Sequence, residues 1–508
     1  MLIYPLSLAI YCTSWTFFGS VGFASRNGWG FLAIYIGPML MVGLCYPLIR
    51  RIVRLAKTQN ITSIADFIAA RYGKHQAVAA TVALIAIFGT IPYIALQLKA
   101  VSGSLGTILA HIQSSTGQYQ AEVGDLAFFV ALAMAAFAVL FGTRQIDATE
   151  HQDGLMLAIA TESIVKLVAF IAVGAFVTFA VFGGPAALVA RAMERPDTAA
   201  VLLHGGDPGM ILTMTVLSLF AIVLLPRQFH VMVVENKGEA EIRRAAWLFP
   251  FYLVLINLFV VPIAVGGLLR FPAGSVDTDM FVLALPLAAG SDLLALAAFV
   301  GGLSAATAMV IVECVALAIM ASNGIVVPLV LRGRGALPSG RKKFGALLLT
   351  VRRLAILVIL SLAYLYYRSA GEAQLASIGL LSFAAIAQLA PAFFGGLFWR
   401  DGTARGALAG MTAGVAVWAY TLLLPSVVES GIIDHRLLAE GPLGILLLRP
   451  QALLGLDLPP LVHGVLWSLG LNVAAYVAFS LQRQPSAIER LQANVFVPSA
   501  FAPITPSF

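Results

Sequence analysis

The sequence predicts an all-α polytopic membrane protein with about 12 transmembrane helices, and three observations support this fold class. The 508 residues are 60% hydrophobic and only 11% charged, whereas an average soluble domain is roughly 25% charged. The apolar residues occur in runs of about 20, the length that crosses a hydrocarbon core of ~30 Å. Lys and Arg residues concentrate in alternate loops, as they do in proteins that thread the membrane repeatedly.

The predicted spans follow one another along the whole chain. Their limits are 2–23, 30–49, 77–109, 123–142, 154–183, 210–231, 247–269, 291–323, 345–367, 376–399, 406–425 and 460–482. We expect tilt or an extension outside the membrane for 77–109 and 291–323, because both exceed the length that a perpendicular helix needs.

The basic residues predict the orientation of the chain. Of 31 Lys and Arg residues, 22 are assigned to the loops after even-numbered spans and to the C-terminal tail, counting Arg227, Arg352 and Arg353 near the ends of spans 6 and 9 with the adjoining loops; 7 fall in the opposite loops, and Lys99 and Lys166 lie within spans. Since Lys and Arg accumulate on the cytoplasmic side, we expect both ends of this chain to be cytoplasmic and the protein to lie in a bacterial inner membrane. The net charge of +7 therefore reflects membrane sidedness and indicates no nucleic-acid partner.

The first span is unusually polar for a segment in lipid. Residues 11–22 contain four small hydroxyl side chains, from Ser and Thr, and two glycines within a dozen positions. Backbone that leaves helical geometry inside a membrane survives only where it is buried in protein or lines a cavity, and such interrupted helices form binding sites. The alternative interpretation is a small-residue face that packs against another helix.

Two segments outside the spans have recognisable patterns. Residues 61–73 predict a short helix with a Ser/Thr start and a Gly stop. The tail 484–508 contains four prolines and has no further apolar periodicity, so we expect a cytoplasmic disordered tail that follows a transmembrane domain at 1–483.

Several stretches resemble the sodium:solute symporter family across nearly the whole chain. The segments 62–73, 91–98 and 398–407 are similar to that family's first cytoplasmic helix, third core helix and the loop after its tenth helix. More narrowly, residues 225–236 and 301–312 resemble the transporter-like membrane domain of CbrA-type bacterial sensor histidine kinases, here without the kinase part.

The resemblance implies a LeuT-like five-plus-five inverted repeat plus two additional C-terminal helices. Spans 1 and 6 would be broken helices, and solute would bind at mid-depth between them. The resemblance also implies secondary active transport, whereas the sensor-kinase likeness implies a receptor that reports solute occupancy to a histidine kinase.

The family pattern further implies a sodium site between spans 1 and 8. Its ligands would be the backbone carbonyls of Ala9 and Cys12 and the side-chain hydroxyls of Ser304 and Thr307. The sequence departs from the family at Ala308, where a second hydroxyl is expected, and at Tyr11, where some members have an aspartate. The resemblance thus implies Na+ as a coupling ion. Because of these departures, proton coupling and uncoupled binding are the alternatives, and no other cofactor is expected.

Polar and aromatic side chains at mid-depth predict the solute site. The predicted substrate-binding residues are Ser14, Trp15, Phe18, Gly19, Gln97, Ser218 and Gln388. An amino acid would offer its carboxylate to a half-helix N-terminus and its ammonium to free carbonyls. For each residue taken singly, hydrogen bonding between helices is the structural alternative.

Charged side chains within the predicted spans include Lys99, which can extend its ammonium to the membrane interface, and Glu162, Lys166 and Glu313. Glu162 and Lys166 are four residues apart with the acid first, which favours a direct structural pair. Glu313 lies in the middle of span 8 with no basic residue within two turns, so it is a possible proton carrier, and hydrogen bonding to a neighbouring helix is the alternative.

These patterns predict a secondary transporter that imports a small solute, such as histidine or another amino acid, by alternating access coupled to a Na+ or H+ gradient. The alternative is the sensory receptor domain with a histidine kinase as its partner. No Gly-rich phosphate-binding loop ending in Lys-Ser/Thr is present in the sequence, so we expect no ATP-driven activity and no enzyme.

Overall fold

The computed structural model describes residues 2–116, 125–142, 152–203, 205–334, 341–371, 374–431 and 433–497. All regular elements in these ranges are helical, and they contain no strand. The fold class predicted from composition is therefore confirmed.

The helices are numbered in chain order. They are α1 (Ile3–Ser7), α2 (Ser20–Asn27), α3 (Ala33–Met39), α4 (Tyr46–Thr58), α5 (Ile64–Arg71), α6 (Gln76–Thr116), α7 (Leu126–Gly142), α8 (Asp153–Ala175), α9 (Pro185–Met193), α10 (Pro196–Leu203), α11 (Pro208–Leu224), α12 (Pro226–Phe229), α13 (Glu239–Asn257), α14 (Val260–Arg270), α15 (Phe281–Ala288), α16 (Asp292–Ala321), α17 (Val327–Arg334), α18 (Arg341–Ser369), α19 (Leu375–Ile386), α20 (Ala390–Phe398), α21 (Ala404–Trp418), α22 (Leu424–Glu429), α23 (Arg436–Glu440), α24 (Pro460–Leu481) and α25 (Ala487–Phe496).

Each predicted span corresponds to a helical segment of the structure. In order, the spans are α1–α2, α3–α4, α6, α7, α8, α11–α12, α13–α14, α16, α18, α19–α20, α21–α22 and α24.

By length and composition, nine helices of the described ranges can cross a membrane, or up to ten if the bent pair α10 and α11 forms one span. The number falls short of twelve because Leu126–Leu140 is shorter and because Trp15–Leu44 joins parts of spans 1 and 2.

Span 1 is interrupted in its middle. A 3-10 turn, Leu8–Tyr11, follows α1, and the backbone becomes extended at Cys12, with φ −80° and ψ 94°. A wide helical turn, Trp15–Gly19, then leads into α2. The predicted break in the first span is therefore present, and it lies within the hydroxyl-rich segment.

Span 6 is interrupted next to a proline. Leu225 has ψ 131° between α11 and α12, and Pro226 begins α12. The proline ring disfavours helical geometry for the preceding residue, which accounts for the break at this position. Both broken spans that the resemblance implied are thus found in the fold.

Two helices lie on one face of the molecule, and the prediction for the second was wrong. α5 begins after the N-cap Ser63 and ends before Gly73, as predicted. Residues 487–496, predicted to be disordered, form α25, with a capping box between Ser486 and Glu489. We call the face on which α25 docks the tail face; residues 498–508 lie outside the described ranges.

Candidate solute and ion site

A small enclosed cavity lies beside the break in span 1. Spans 1, 2, 3 and 10 line it, and it offers about 10 Å³ to the centre of a water molecule, which is room for about one water. Its lining residues are Tyr11, Trp15, Thr16, Ile34, Tyr93, Gly379 and Phe383. The structure thus has a closed aromatic chamber that must widen before it can admit a solute.

Side chains of span 3 and a backbone carbonyl of span 2 hold the broken segment in place. The hydroxyls of Thr13 and Tyr93 are 2.9 Å apart, and the Ser14 backbone N–H donates to Gln97 Oε1 at 3.2 Å. Tyr11 donates its hydroxyl to the Ile34 carbonyl at 2.7 Å. Because these contacts satisfy backbone and side-chain groups at the break, the irregular backbone is stable at membrane depth.

Trp15 separates this cavity from a pocket on the side away from the tail face. The pocket has a volume of about 350 Å³ and is lined by Phe23 and Ile378, among others. The Trp15 ring contacts Phe23 at 6.4 Å between centroids, and its Nε1–H donates to the Ala376 carbonyl at 3.3 Å. Trp15 therefore closes the chamber toward the opposite face.

The buried carboxylate of Asp279 connects α2 and α19 on the side of Trp15 that faces away from the chamber. Asp279 Oδ2 accepts the backbone N–H of Leu375 at 3.1 Å, at the start of α19, and Oδ1 lies 3.9 Å from Arg26. Gly22 in α2 allows the close approach, since a Cβ there would lie 1.7 Å from Asp279 Oδ1. Burial, together with the neighbouring Asp277, raises the pKa of Asp279 to about 7.

A fully buried ion pair lies at the break in span 6. Arg227 in α12 donates from Nη1 to Glu313 Oε2 on span 8 at 2.8 Å, and neither side chain is exposed. The guanidinium carbon also lies 4.6 Å from the centroid of the Tyr93 ring. The prediction that Arg227 is a loop charge was wrong, because the break carries the residue into the core.

Several atoms around this pair have no hydrogen-bond partner in the described part of the chain. They are Nε and Nη2 of Arg227, Oε1 of Glu313 and both amide atoms of Gln228. Buried polar groups are normally hydrogen-bonded. This cluster therefore has both hydrogen-bond donors and hydrogen-bond acceptors that are available to a ligand. Glu313 as a proton carrier stays a prediction, but the side chain is paired rather than isolated.

Lys166 on span 5 reaches the other break. Its Nζ donates to the carbonyls of Ala9 and Cys12, both at 2.8 Å, and the side chain is 1% exposed. These are the two carbonyls to which the resemblance assigned sodium. The expected direct pair with Glu162 is not among the ion pairs of the described residues, because the ammonium bonds to span 1 instead.

The two remaining predicted sodium ligands lie on α16 and face span 5 or their own helix. Ser304 donates to the Glu162 carbonyl at 3.3 Å, and Thr307 donates to the Leu303 carbonyl at 3.0 Å. A hydroxyl that donates to a carbonyl keeps its acceptor lone pairs. The residues of the predicted sodium site are thus compatible with a cation, but its two carbonyls already bind one.

Three residues of the predicted substrate-binding set are directed elsewhere, so the expectation that they share one chamber was wrong. Phe18 packs on span 8, where a Cβ on Gly302 would lie 2.2 Å from its ring. Ser218 donates to the Ala33 carbonyl of span 2, and Gln388 donates to Ser468 of span 12. These are packing and interhelical hydrogen-bond roles, the structural alternative named above.

The other four members remain near the break in span 1. Ser14, Trp15 and Gln97 contact the broken segment or the chamber. Gly19 allows close packing on span 10, since a Cβ there would lie 3.3 Å from Leu375 Cβ. Their role in solute binding stays a prediction.

Sequence reasoning missed two residues of this site. Tyr93 lies in the segment 91–98, whose only predicted role was its resemblance to the family's third core helix, and Arg227 was predicted to be a loop charge. The available signal was Pro226 within an apolar run, because a proline there indicates that a helix is broken and that its neighbours line a cavity.

Comparison with known proteins supports a symporter-like molecule. No family model matches the sequence. The chain is 22% identical over 479 residues to an uncharacterized symporter, YodF, of Bacillus subtilis (strain 168), covering 92% of this chain and 88% of that protein. Its fold is similar to that of a Na+-coupled sialic acid symporter solved in a substrate-bound outward-open state with a novel Na+ site, with a TM-score of 0.63, 16% identity and coverage of 95% of this chain and 90% of that one.

These comparisons confirm the LeuT-like fold, which the chain shares with the sialic acid symporter over nearly all of its length. They also agree with the prediction that the chain is a multi-pass membrane protein and not an enzyme, since both relatives are symporters. Neither relative bears on the likeness to a sensor kinase.

Proposed function

We propose that the protein is a secondary active transporter that imports a small solute by alternating access, coupled to a Na+ or H+ gradient. Two interrupted spans flank a closed central region, and each break carries a buried cation. This arrangement supports transport because interrupted helices at mid-depth present backbone groups and helix ends to a solute. We place the protein in a bacterial inner membrane with both chain ends cytoplasmic, on the basis of its Lys and Arg distribution.

We propose further that the solute is an amino acid, such as histidine. The observation that supports an amino acid is the cluster at the break in span 6, where free donors of Arg227 lie beside a free acceptor of Glu313. A zwitterion matches both, because its carboxylate accepts from guanidinium N–H groups and its ammonium donates to a carboxylate. The Tyr93 ring, which lies under Arg227 and lines the chamber, connects this cluster to the cavity.

Gln228 provides the sharpest test of this assignment. Its side chain is fully buried and neither amide atom has a partner in the described chain. Replacing it by leucine therefore breaks no hydrogen bond and removes the cost of a buried unsatisfied amide, about 1–3 kcal/mol. We expect Gln228→Leu to keep or raise the thermal stability and to lower labelled histidine uptake at least about 10-fold, which corresponds to one lost hydrogen bond to a charged group.

The experiment uses purified protein in sealed liposomes with imposed Na+ or pH gradients and labelled L-histidine. The matched control is Gln388→Leu, a buried glutamine that bonds to Ser468 and Asn472. We expect this control to lose stability while its apparent affinity for histidine is unchanged. Full uptake by Gln228→Leu would contradict the assignment of the solute to this cluster.

A second candidate function is the receptor that reports solute occupancy to a histidine kinase. The observation that favours it is α25, whose Glu489 accepts the backbone N–H of Ala404 at 2.8 Å and whose Phe496 ring packs on Phe67 of α5 at 5.3 Å. A movement of α5 or of the start of α21 would therefore reach the chain's C-terminal segment. Saturable histidine binding without accumulation in the liposomes would favour the receptor over the transporter.

A further inference from the structure

We propose that the ammonium of Lys166 is the resident cation of the site between spans 1, 5 and 8, and that Na+ does not bind there while this side chain is in place. The inference concerns the ion site of the transporter proposed above. Its test uses no solute and therefore fails or succeeds independently of the transport assignment.

The geometry of the site is that of a bound cation. Lys166 Nζ lies 2.8 Å from the Ala9 carbonyl and 2.8 Å from the Cys12 carbonyl, and all three residues are at most 1% exposed. The extended backbone at Cys12 ends the first half of span 1, and the Ala9 carbonyl accepts both the Cys12 backbone N–H at 2.9 Å and the Lys166 ammonium. Since span 5 supplies the positive charge covalently, the break in span 1 needs no exchangeable ion to satisfy its oxygens.

Electrostatics exclude a second cation from the same place. A like charge at about 4 Å from the ammonium lowers the affinity for Na+ by about three orders of magnitude at an effective dielectric constant of ~20. A hard cation also needs several oxygen ligands at once, and the two carbonyls already accept hydrogen bonds from Nζ. Sodium coupling of this protein would then require ligands other than Ala9 and Cys12.

Removing the ammonium should recreate a sodium site. Without the Lys166 side chain, the two carbonyls are free of their cation. The hydroxyls of Ser304 and Thr307 lie on α16, which packs along span 5, and they keep acceptor lone pairs. We therefore expect Lys166→Ala to respond to Na+ at a site where the wild type does not.

The test is the thermal unfolding midpoint of the full chain in detergent, in NaCl and in KCl of equal ionic strength. We expect the same midpoint in both salts for the wild type. For Lys166→Ala we expect a lower midpoint in KCl and an increase of about 2–4 °C in NaCl, from ligand binding to the folded state. The control is Lys99→Ala, which changes a lysine that donates to the Gly371 carbonyl on the face opposite the tail face. We expect this variant to have the same midpoint in both salts.

Equal sodium-specific shifts in the wild type and in Lys166→Ala would overturn the proposal. If Lys166→Ala does not fold, equilibrium binding of ²²Na+ to the wild type and to Thr307→Ala gives the answer. Absence of binding, or saturable binding that Thr307→Ala leaves unchanged, supports Lys166 as the resident cation. Saturable binding to the wild type that Thr307→Ala abolishes refutes it.

Discussion

The buried pair of Arg227 and Glu313 allows a quantitative prediction about the break in span 6. The two side chains are 0% exposed and their closest charged atoms are 2.8 Å apart. At an effective dielectric constant of ~20, this attraction is about 6 kcal/mol, and it offsets a desolvation cost of several kcal/mol for each ion. The ion pair as a whole therefore contributes little net free energy to stability, whereas either charged side chain without its partner would be strongly destabilising.

Single substitutions should destabilise the protein much more than the double substitution. We expect Glu313→Leu to lower the free energy of unfolding by about 3–5 kcal/mol, because it leaves a guanidinium that cannot lose its charge. Arg227→Met should cost about 3 kcal/mol, since the remaining carboxyl group can be neutralised by a proton. The double variant Arg227→Met/Glu313→Leu should lie within about 2 kcal/mol of the wild type.

The assay is a double-mutant cycle on purified protein, with unfolding by SDS in mixed micelles followed by tryptophan fluorescence. The coupling energy should be about 4–8 kcal/mol, the difference between the summed single effects and the double effect. A loss below about 1 kcal/mol for Glu313→Leu, or additive single effects, would refute the view that the low-dielectric core makes each charge depend on its partner.

Three further predictions test the tail face, the opposite face and the closure of the chamber. Phe496→Ala should speed proteolysis within residues 487–496, because its fully buried ring anchors α25, whereas Val495→Ala, at a 46% exposed position, should not. Asp279 has a raised pKa of about 7, so the folded state binds its proton more tightly than the unfolded chain; stability should fall as pH rises from about 4 to 7 and level off above. Asp279→Asn should flatten that profile, and an unchanged slope would exclude this group as its source. Trp15→Phe loses the hydrogen bond to the Ala376 carbonyl, worth about 0.5–1.5 kcal/mol, and should speed histidine dissociation about 2- to 10-fold in a chase experiment.

The sequence was sufficient for the elements whose signals are local. Apolar run length predicted the twelve segments, and the hydroxyl-rich stretch predicted the break that the structure has at Cys12. The cap of α5 at Ser63 was also readable. The tail prediction failed even though a local signal was present, since Ser486 and Glu489 form a capping box and the prolines lie outside α25.

The site could not be predicted in the same way because its key contacts are long-range. Arg227 and Glu313 are 86 positions apart, and Lys166 and Ala9 are 157 apart. Helical periodicity places a side chain on a face of its own helix, but it does not say which helix covers that face. Ser218 illustrates this limit, because its polarity suited a chamber and its face meets span 2 instead.

The two buried cations share one mechanical property. Lys166 ties the carbonyls at the break of span 1 to span 5, and Arg227 ties the break of span 6 to span 8 through Glu313. Each broken helix is thus fixed by charge to a continuous helix next to it, and a cation that leaves such a contact without a new partner pays a large desolvation cost. It follows that spans 1 and 5, and likewise spans 6 and 8, move together at the level of the breaks. Widening of the chamber should therefore occur along the boundary with spans 2, 3 and 10, where the contacts are the neutral hydrogen bonds and rings of Tyr11, Tyr93 and Trp15.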